Sequence, residues 1–208
     1  VSLRTSMTAS GTIPPDEWTM LSVPGIPVNS DPAAFMNQDD FILLRWDENL
    51  PQEDRMLKYK QTFTVTAGTA FWVKPYVVET GYSVPSWVPD TTAPYEIELD
   101  AGWNQIGVPF DRTYPWREAE FRKEGENSAV SMQQAIDLGY LDSVIFGYSD
   151  GGYIENDINA SLEPSRGFFL NAFTAGTLIF EPGSGLPGGM AKIAQPSYIW
   201  KLRVAAVS

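Results

Sequence analysis

Cysteine and histidine are both missing from this chain of 208 residues. Without thiols there is no disulfide framework, no thiolate nucleophile and no sulfur-ligated metal. Without imidazole there is no Ser-His-Asp triad, no histidine-held zinc and no side chain that ordinarily titrates near neutrality. Basic residues are scarce: 14 Lys and Arg stand against 26 Asp and Glu, for a net charge of −12. That balance argues against nucleic acid or an anionic membrane surface as partner, since both need neutralising cations. No apolar run of about 18 residues exists, and no charged segment leads into a short apolar one, so neither a membrane span nor a visible secretion precursor is expected.

What the chain does have is enough apolar content, 43% hydrophobic, to bury one sizeable core or two small ones. Its 17 Gly, 16 Pro and 13% aromatic residues, joined to the acidity and the lack of cysteine, read as a secreted or cell-surface protein. One phrase occurs twice. Residues 18–25 read WTMLSVPG and residues 103–110 read WNQIGVPF, each with Trp first, an aliphatic residue three places on and then Val-Pro. Proline closes a strand because it cannot donate to a ladder.

Further landmarks follow in the same order in each half. A short helix signal comes next, Ser30 to Phe35 with Asp31 and Pro32 at its start, and Ser128 to Leu138 stopped by Gly139. Apolar strands then read FILLRWDE at 41–48 and SVIFGYSD at 143–150, with Trp46 corresponding to Tyr148, and a polar stretch carries Tyr59 or Tyr153. Phe71-Trp72-Val73 matches Phe168-Phe169-Leu170, and a glycine, Gly81 or Gly176, opens the last short strand. Between the halves, Pro85, Pro89 and Pro94 predict a stiff connector.

The expected fold is therefore mainly β: two tandem, related, small β-sandwich or barrel-like units, each with one short helix, plus extended terminal strands. The expected organisation is an extended N-terminal strand over 1–14, a first repeat unit over 15–90, a second over 91–184, and a Gly/Pro-rich arm with a C-terminal strand over 185–208.

Gly102-Trp103-Asn104, Val108-Pro109, Gly139-Tyr140, the Tyr148 to Tyr153 hairpin, and Leu162-Glu163-Pro164 leading into Gly167-Phe168-Phe169 together resemble repeat modules of large bacterial secreted and cell-surface proteins. The resemblance covers roughly residues 15 to 182. It is looser in the first half, where Glu17 precedes Trp18 and Thr19 replaces Asn. It implies an accessory or structural part of the cell exterior rather than a catalyst.

The residues themselves offer little chemistry. Asp47, Glu48, Asp150 and Glu163 are carboxylates on turns that a glycosidase would need in pairs, yet with 26 acids such pairs arise by chance. Acid-rich stretches such as SDPAAFMNQDD, WDENLPQED and YSDGGY supply oxygen ligands for a calcium ion but lack EF-hand spacing. No G-x-S-x-G surrounds a serine. The expectation is a non-enzyme with no catalytic residue, cofactor or metal. Trp46, Trp72 and Trp103 sit at repeat landmarks and are expected in the core, while Trp87, in the Pro-rich connector, is the candidate surface platform for a sugar.

The ends differ from the body. The first fifteen residues carry only Arg4, and residues 185–208 carry Lys192, Lys201 and Arg203 with no acid. Each end also alternates: Leu3 and Met7 among polar neighbours, and Trp200, Leu202 and Val204 around Lys201 and Arg203. Each end either completes a sheet of its own chain, leads into a further domain, or docks in a neighbour by strand addition. Leu3, Met7, Trp200, Lys201, Leu202, Arg203 and Val204 are the expected subunit contacts. The functional expectation is an extracellular structural protein, a filament subunit assembling head to tail with itself; the alternative is a carbohydrate-binding or adhesive accessory module meeting a polysaccharide.

Overall fold

Short strand-forming runs separated by Gly, Pro and Asp leave room for small sheets only, and among the described residues the computed structural model builds four of them and a two-stranded ribbon. It describes residues 6–36, 40–59, 64–76, 78–89 and 93–182; Leu3 and the five expected contact residues from Trp200 to Val204 lie outside the described residues. The first half contains β1 (Ser6–Ile13), β2 (Thr19–Ser22), β3 (Ile26–Pro27), β4 (Phe41–Trp46), β5 (Met56–Lys58), β6 (Ala70–Pro75) and β7 (Thr80–Trp87). The second contains β8 (Tyr95–Leu99), β9 (Gly102–Gly107), β10 (Tyr114–Pro115), β11 (Glu120–Lys123), β12 (Val130–Ser131), helix α1 (Met132–Asp137), β13 (Leu141–Ser149), β14 (Gly152–Asn156), β15 (Ser161–Leu162), β16 (Gly167–Ala172) and β17 (Gly176–Phe180).

Two four-stranded antiparallel sheets form the middle of the molecule, ordered β2-β6-β4-β5 and β9-β16-β13-β14. Two more sheets lie outside them, β1-β7-β3 for the first half and β12-β11-β17-β8 for the second, and β10 pairs with β15 in a small ribbon. The duplicated landmarks occupy matching registers. Leu21 faces Phe71 as Ile106 faces Phe168, and Leu44 faces Trp72 as Phe146 faces Phe169. One landmark shifts: Trp46 faces Met56 where Tyr148 faces Tyr153, so Met56 rather than Tyr59 is the counterpart of Tyr153.

Period-two alternation explains why the middle strands are apolar on both sides. In β6, Phe71 and Val73 join Ala9, Ile13, Leu21, Leu43 and Val84 in the first half's core, whereas Trp72 joins a separate cluster with Met20 and Phe169. In β16, Phe168 and Leu170 enter the second half's core, which also holds Trp116, Phe121 and Phe180, and Phe169 turns the other way. The two middle sheets therefore bury their second faces against each other, across Trp18, Leu44, Trp46, Met56, Phe146, Tyr148 and Tyr153.

The backbone ties the halves as well. Ser22 N donates to Ser165 O at 3.0 Å, and its counterpart Gly107 N donates to Gly68 O, the counterpart of Ser165, at 2.8 Å. Leu21 bridges to Arg166, and Ile106 to Thr69, in the same reciprocal way. Ser165 and Gly68 both adopt left-handed backbone, φ 62° and 72°. Reciprocal contacts between equivalent positions are the signature of a twofold interface, here within one chain.

These features correct the expectation of two sandwich units. The protein is mainly β, but its sheets stand as the blades of a four-bladed propeller-like arrangement, because each middle sheet has apolar side chains on both faces and hydrogen bonds across the boundary. The helix expectation is also revised. The second half has α1, with Ser131 and Gln134 forming a capping box, while the first half has one 3-10 turn, Pro32–Phe35, started by the Asp31 carboxylate accepting from Ala33 N at 3.0 Å. Among the described residues no helix is long and apolar enough to cross a membrane.

Tryptophan placement follows from position in the sheets. Trp116 is fully buried, Trp72 is 6% exposed, Trp18 and Trp46 are half-buried, and Trp103, expected in the core, is 37% exposed at the rim of the interface between halves. Trp87 is the last residue of β7, paired with Ser6 and Ile26 and half-buried, and so is part of a sheet instead of a linker. Trp116→Ala should cost about 3–5 kcal/mol in urea unfolding, and Trp103→Ala less than half of that. Equal losses would contradict the placement of Trp103 at the rim.

Candidate functional site

Beside the interface between the halves, one hairpin breaks their likeness. β13 and β14 turn tightly through Ser149–Gly152, with Asp150 and Gly151 both at positive φ, whereas β4 and β5 are joined by a long excursion over residues 47–55. That excursion begins with an Asx turn, Asn49 N donating to Asp47 Oδ1 at 3.0 Å, and is braced by Arg55 Nε donating to Leu50 O at 3.1 Å. It arches across to the turn between β8 and β9 in the other half.

Glu48 makes the junction. Its Oε1 pairs with Arg55 Nη1 at 2.7 Å, and its Oε2 accepts from Trp46 Nε1 at 2.9 Å and from the Trp103 backbone N–H at 3.2 Å. The side chain is only 12% exposed, so charge and hydrogen bonds are matched where water is largely excluded. Two flanking bonds repeat the crossing. Asn49 Nδ2 donates to Asp100 Oδ2 at 2.8 Å, and Trp46 N donates to Gln105 Oε1 at 2.6 Å. Gly102 makes the approach possible: its φ is +114°, and a Cβ there would lie 2.5 Å from the Glu48 carboxyl carbon.

Under this arch lies a cleft of about 440 Å³, walled by Trp46, Asp47, Glu48 and Asn49 on one side, by the 66–69 turn at its floor, and by Tyr95, Glu96, Ile97 and Glu98 of β8 opposite. Trp103, Asn104 and Asp100 close one end. Its charge is mainly negative. Five carboxylates line it beside one cation, Arg45; two of the five are matched from outside the lining, Glu48 by Arg55 and Glu96 by Arg122 at 2.9 Å. Arg45 Nη1 donates to Thr64 O, and burial draws its guanidinium below its ordinary value while Asp47 pushes it back up. Burial raises the Tyr95 phenol, and its hydrogen bond with the Thr66 side chain pulls the other way.

Of the four carboxylates considered for glycoside chemistry, only Asp47 and Glu48 reach this cleft. Asp150 accepts from Ser149 Oγ at the tight turn, and Glu163 is paired with Arg166 at 2.9 Å. Among the described residues no group of three or more acids is placed to hold a metal ion. Met7 lies in β1, half-buried, opposite Ser86 and against Gly25, within a sheet of its own chain. Sequence reasoning missed the cleft, although its signal was present as nine residues between Trp46 and Met56 where the other half has four between Tyr148 and Tyr153.

No protein-family model matches the chain, no curated protein matches it, and no solved structure matches it.

Removing the Glu48 carboxylate would leave Trp46 Nε1, the Trp103 N–H and Arg55 without their acceptor. Glu48→Ala should cost about 1–3 kcal/mol, and Glu48→Gln, which keeps an acceptor, should cost less; thermal unfolding of the two variants measures the difference. A pH effect is expected at the interface between halves. Burial, with repulsion from Tyr148 adding to it, pushes the Tyr153 phenol up to about 12. The unfolded chain ionises nearer pH 10, so the neutral phenol's contribution is intact below about pH 10 and is lost as pH rises toward about 12. Tyr153→Phe should flatten that alkaline loss of stability in denaturant titrations.

Proposed function

We propose that this protein is a non-enzymatic structural protein of the cell exterior, a subunit that assembles head to tail when a terminal strand of one copy adds to a sheet edge of the next. One observation carries the reading. The second half's outer sheet ends on β8, whose backbone among the described residues bonds only to β17, and the acidic cleft runs beside that edge. Strand addition needs an unpaired edge with pockets for alternate side chains. The acidic body, the basic ends and the resemblance to repeat modules of bacterial surface proteins support the same reading.

A second reading rests on Trp103. The residue is 37% exposed in a cleft flanked by Asn49, Asp100 and Asn104, an arrangement suited to stacking a sugar while amide and carboxylate groups meet its hydroxyls. On that reading the protein is a carbohydrate-binding or adhesive accessory module.

Deleting residues 196–208 separates the two. The structural reading expects full-length protein to form polymer by size-exclusion chromatography and negative-stain microscopy, and the deletion to give a folded monomer. Salt should slow assembly without dissolving preformed polymer, because screening acts on encounter more than on buried contacts. A full-length chain that stays monomeric at all concentrations, with tryptophan fluorescence quenched by soluble oligosaccharide and the quenching lost in Trp103→Ala, would transfer the cleft to sugar binding.

A further inference from the structure

β8 is an edge strand with a charge code. Tyr95, Ile97 and Leu99 face the core, and Glu96 and Glu98 are exposed on the opposite face. Edge strands carrying such inward and outward alternation accept a partner whose own alternation matches, since a slip of one residue turns every side chain to the wrong face. The sequence holds one complementary stretch. Residues 200–204, Trp-Lys-Leu-Arg-Val, place apolar and basic residues where Tyr-Glu-Ile-Glu-Leu places apolar and acidic ones.

Resting on the assembly reading above, we infer that residues 200–204 of one copy pair antiparallel with β8 of the next copy, Leu202 opposite Ile97. This register sets Lys201 against Glu98 and Arg203 against Glu96, while Trp200 and Val204 meet Leu99 and Tyr95. Opposite charges directly across a strand pair are favourable, and aromatic with aliphatic pairs add to them. The acceptor is prepared for it. Among the described residues Glu98 accepts a hydrogen bond from the Thr177 hydroxyl, at 3.2 Å, and Glu96 pairs with Arg122 at the exposed surface. Of the mainly acidic cleft beside the edge, Trp46, Leu57 and Ile97 are the apolar part that the incoming side chains would meet.

Reach permits the connection. The described chain ends at Pro182, just past β17, whose last residue Phe180 is paired with Tyr95 of β8 itself. Residues 183–199 could span up to about 55–60 Å if extended, enough to cross to another copy. Another edge strand, β1, carries no charge and is less suited: Ser6, Thr8, Ser10 and Thr12 on its exposed face offer no acid to Lys201 and Arg203.

Because the natural chain has no cysteine, cross-linking tests the register directly. Full-length Ile97→Cys and full-length Leu202→Cys, mixed and treated with mild oxidant or a short bismaleimide, should give a covalent heterodimer, and the double variant a ladder of oligomers. Thr8→Cys paired with Leu202→Cys should give none. Independently, Glu98→Lys should slow assembly at least tenfold, and Glu98→Lys combined with Lys201→Glu should restore it. Polymer that forms with no 97–202 cross-link, or with cross-linking at Thr8→Cys instead, overturns the β8 assignment and leaves the assembly reading standing. A cross-link formed only within single chains that never polymerise overturns both the pairing between copies and the assembly reading. Chains that stay monomeric, give no 97–202 cross-link and have their tryptophan fluorescence quenched by soluble oligosaccharide would overturn it in favour of a sugar.

Discussion

Everything in this fold depends on the exchange of backbone hydrogen bonds between its halves. Ser22 of β2 bonds to Ser165, in the turn before β16, and Gly107 of β9 bonds to Gly68, in the turn before β6, so each strand reaches into the other half. These bonds bring β2 and β9 against the opposing turns and so hold the middle sheets face to face. Tight contact requires small residues there: a Cβ on Gly167 would lie 2.5 Å from Met20 Cγ and 2.9 Å from the Ala70 Cβ. With the backbones this near, Trp72, Phe169, Tyr148 and Trp46 interlock across the boundary, Trp72 meeting Tyr148 at 4.7 Å and Trp46 meeting Phe169 at 6.3 Å, both edge to face. Equivalent residues thus make equivalent contacts in both directions.

On that symmetrical frame the hairpin beside the interface departs from symmetry. The long β4–β5 hairpin inserts Glu48 between Trp46, Arg55 and the backbone of Trp103, so a carboxylate of one half anchors a turn of the other. Its anchoring keeps the arch off the floor formed by residues 66–69, and the space left between them is the cleft. The cleft is a by-product of length: a tight turn such as Ser149–Gly152 cannot reach across to build the same wall.

Much of the fold was legible from the chain. Trp phrase, apolar strand and aromatic triplet each fell in the register that their spacing implied, because alternation and proline stops are local properties that survive folding. The crossing between halves was not legible. Leu21 bridging to Arg166 joins positions far apart in sequence, and nothing local distinguishes an apolar strand facing one core from a strand shared by two. That is why sandwich units were expected where blades stand back to back. Trp103 and Trp87 exchanged roles for a related reason: burial depends on whether a position meets the centre or the rim of its sheet, and a repeat landmark says only that the position is structural. The terminal strands were read from alternation and charge, and of their expected contact residues only Met7 falls within the described residues, in a sheet of its own chain.

The lengthened hairpin also decides a matter of valency. A body with faithful twofold symmetry would present two like clefts and two like edges, and anything binding one would bind the other, giving branched or doubly loaded species. Here the hairpin builds its wall on one side only, and the outermost strands differ as well, β8 bearing glutamates where β1 bears serine and threonine. The duplicated chain therefore has a direction: one side carries the walled acidic cleft and the glutamate-bearing strand, and among the described residues the other side repeats neither.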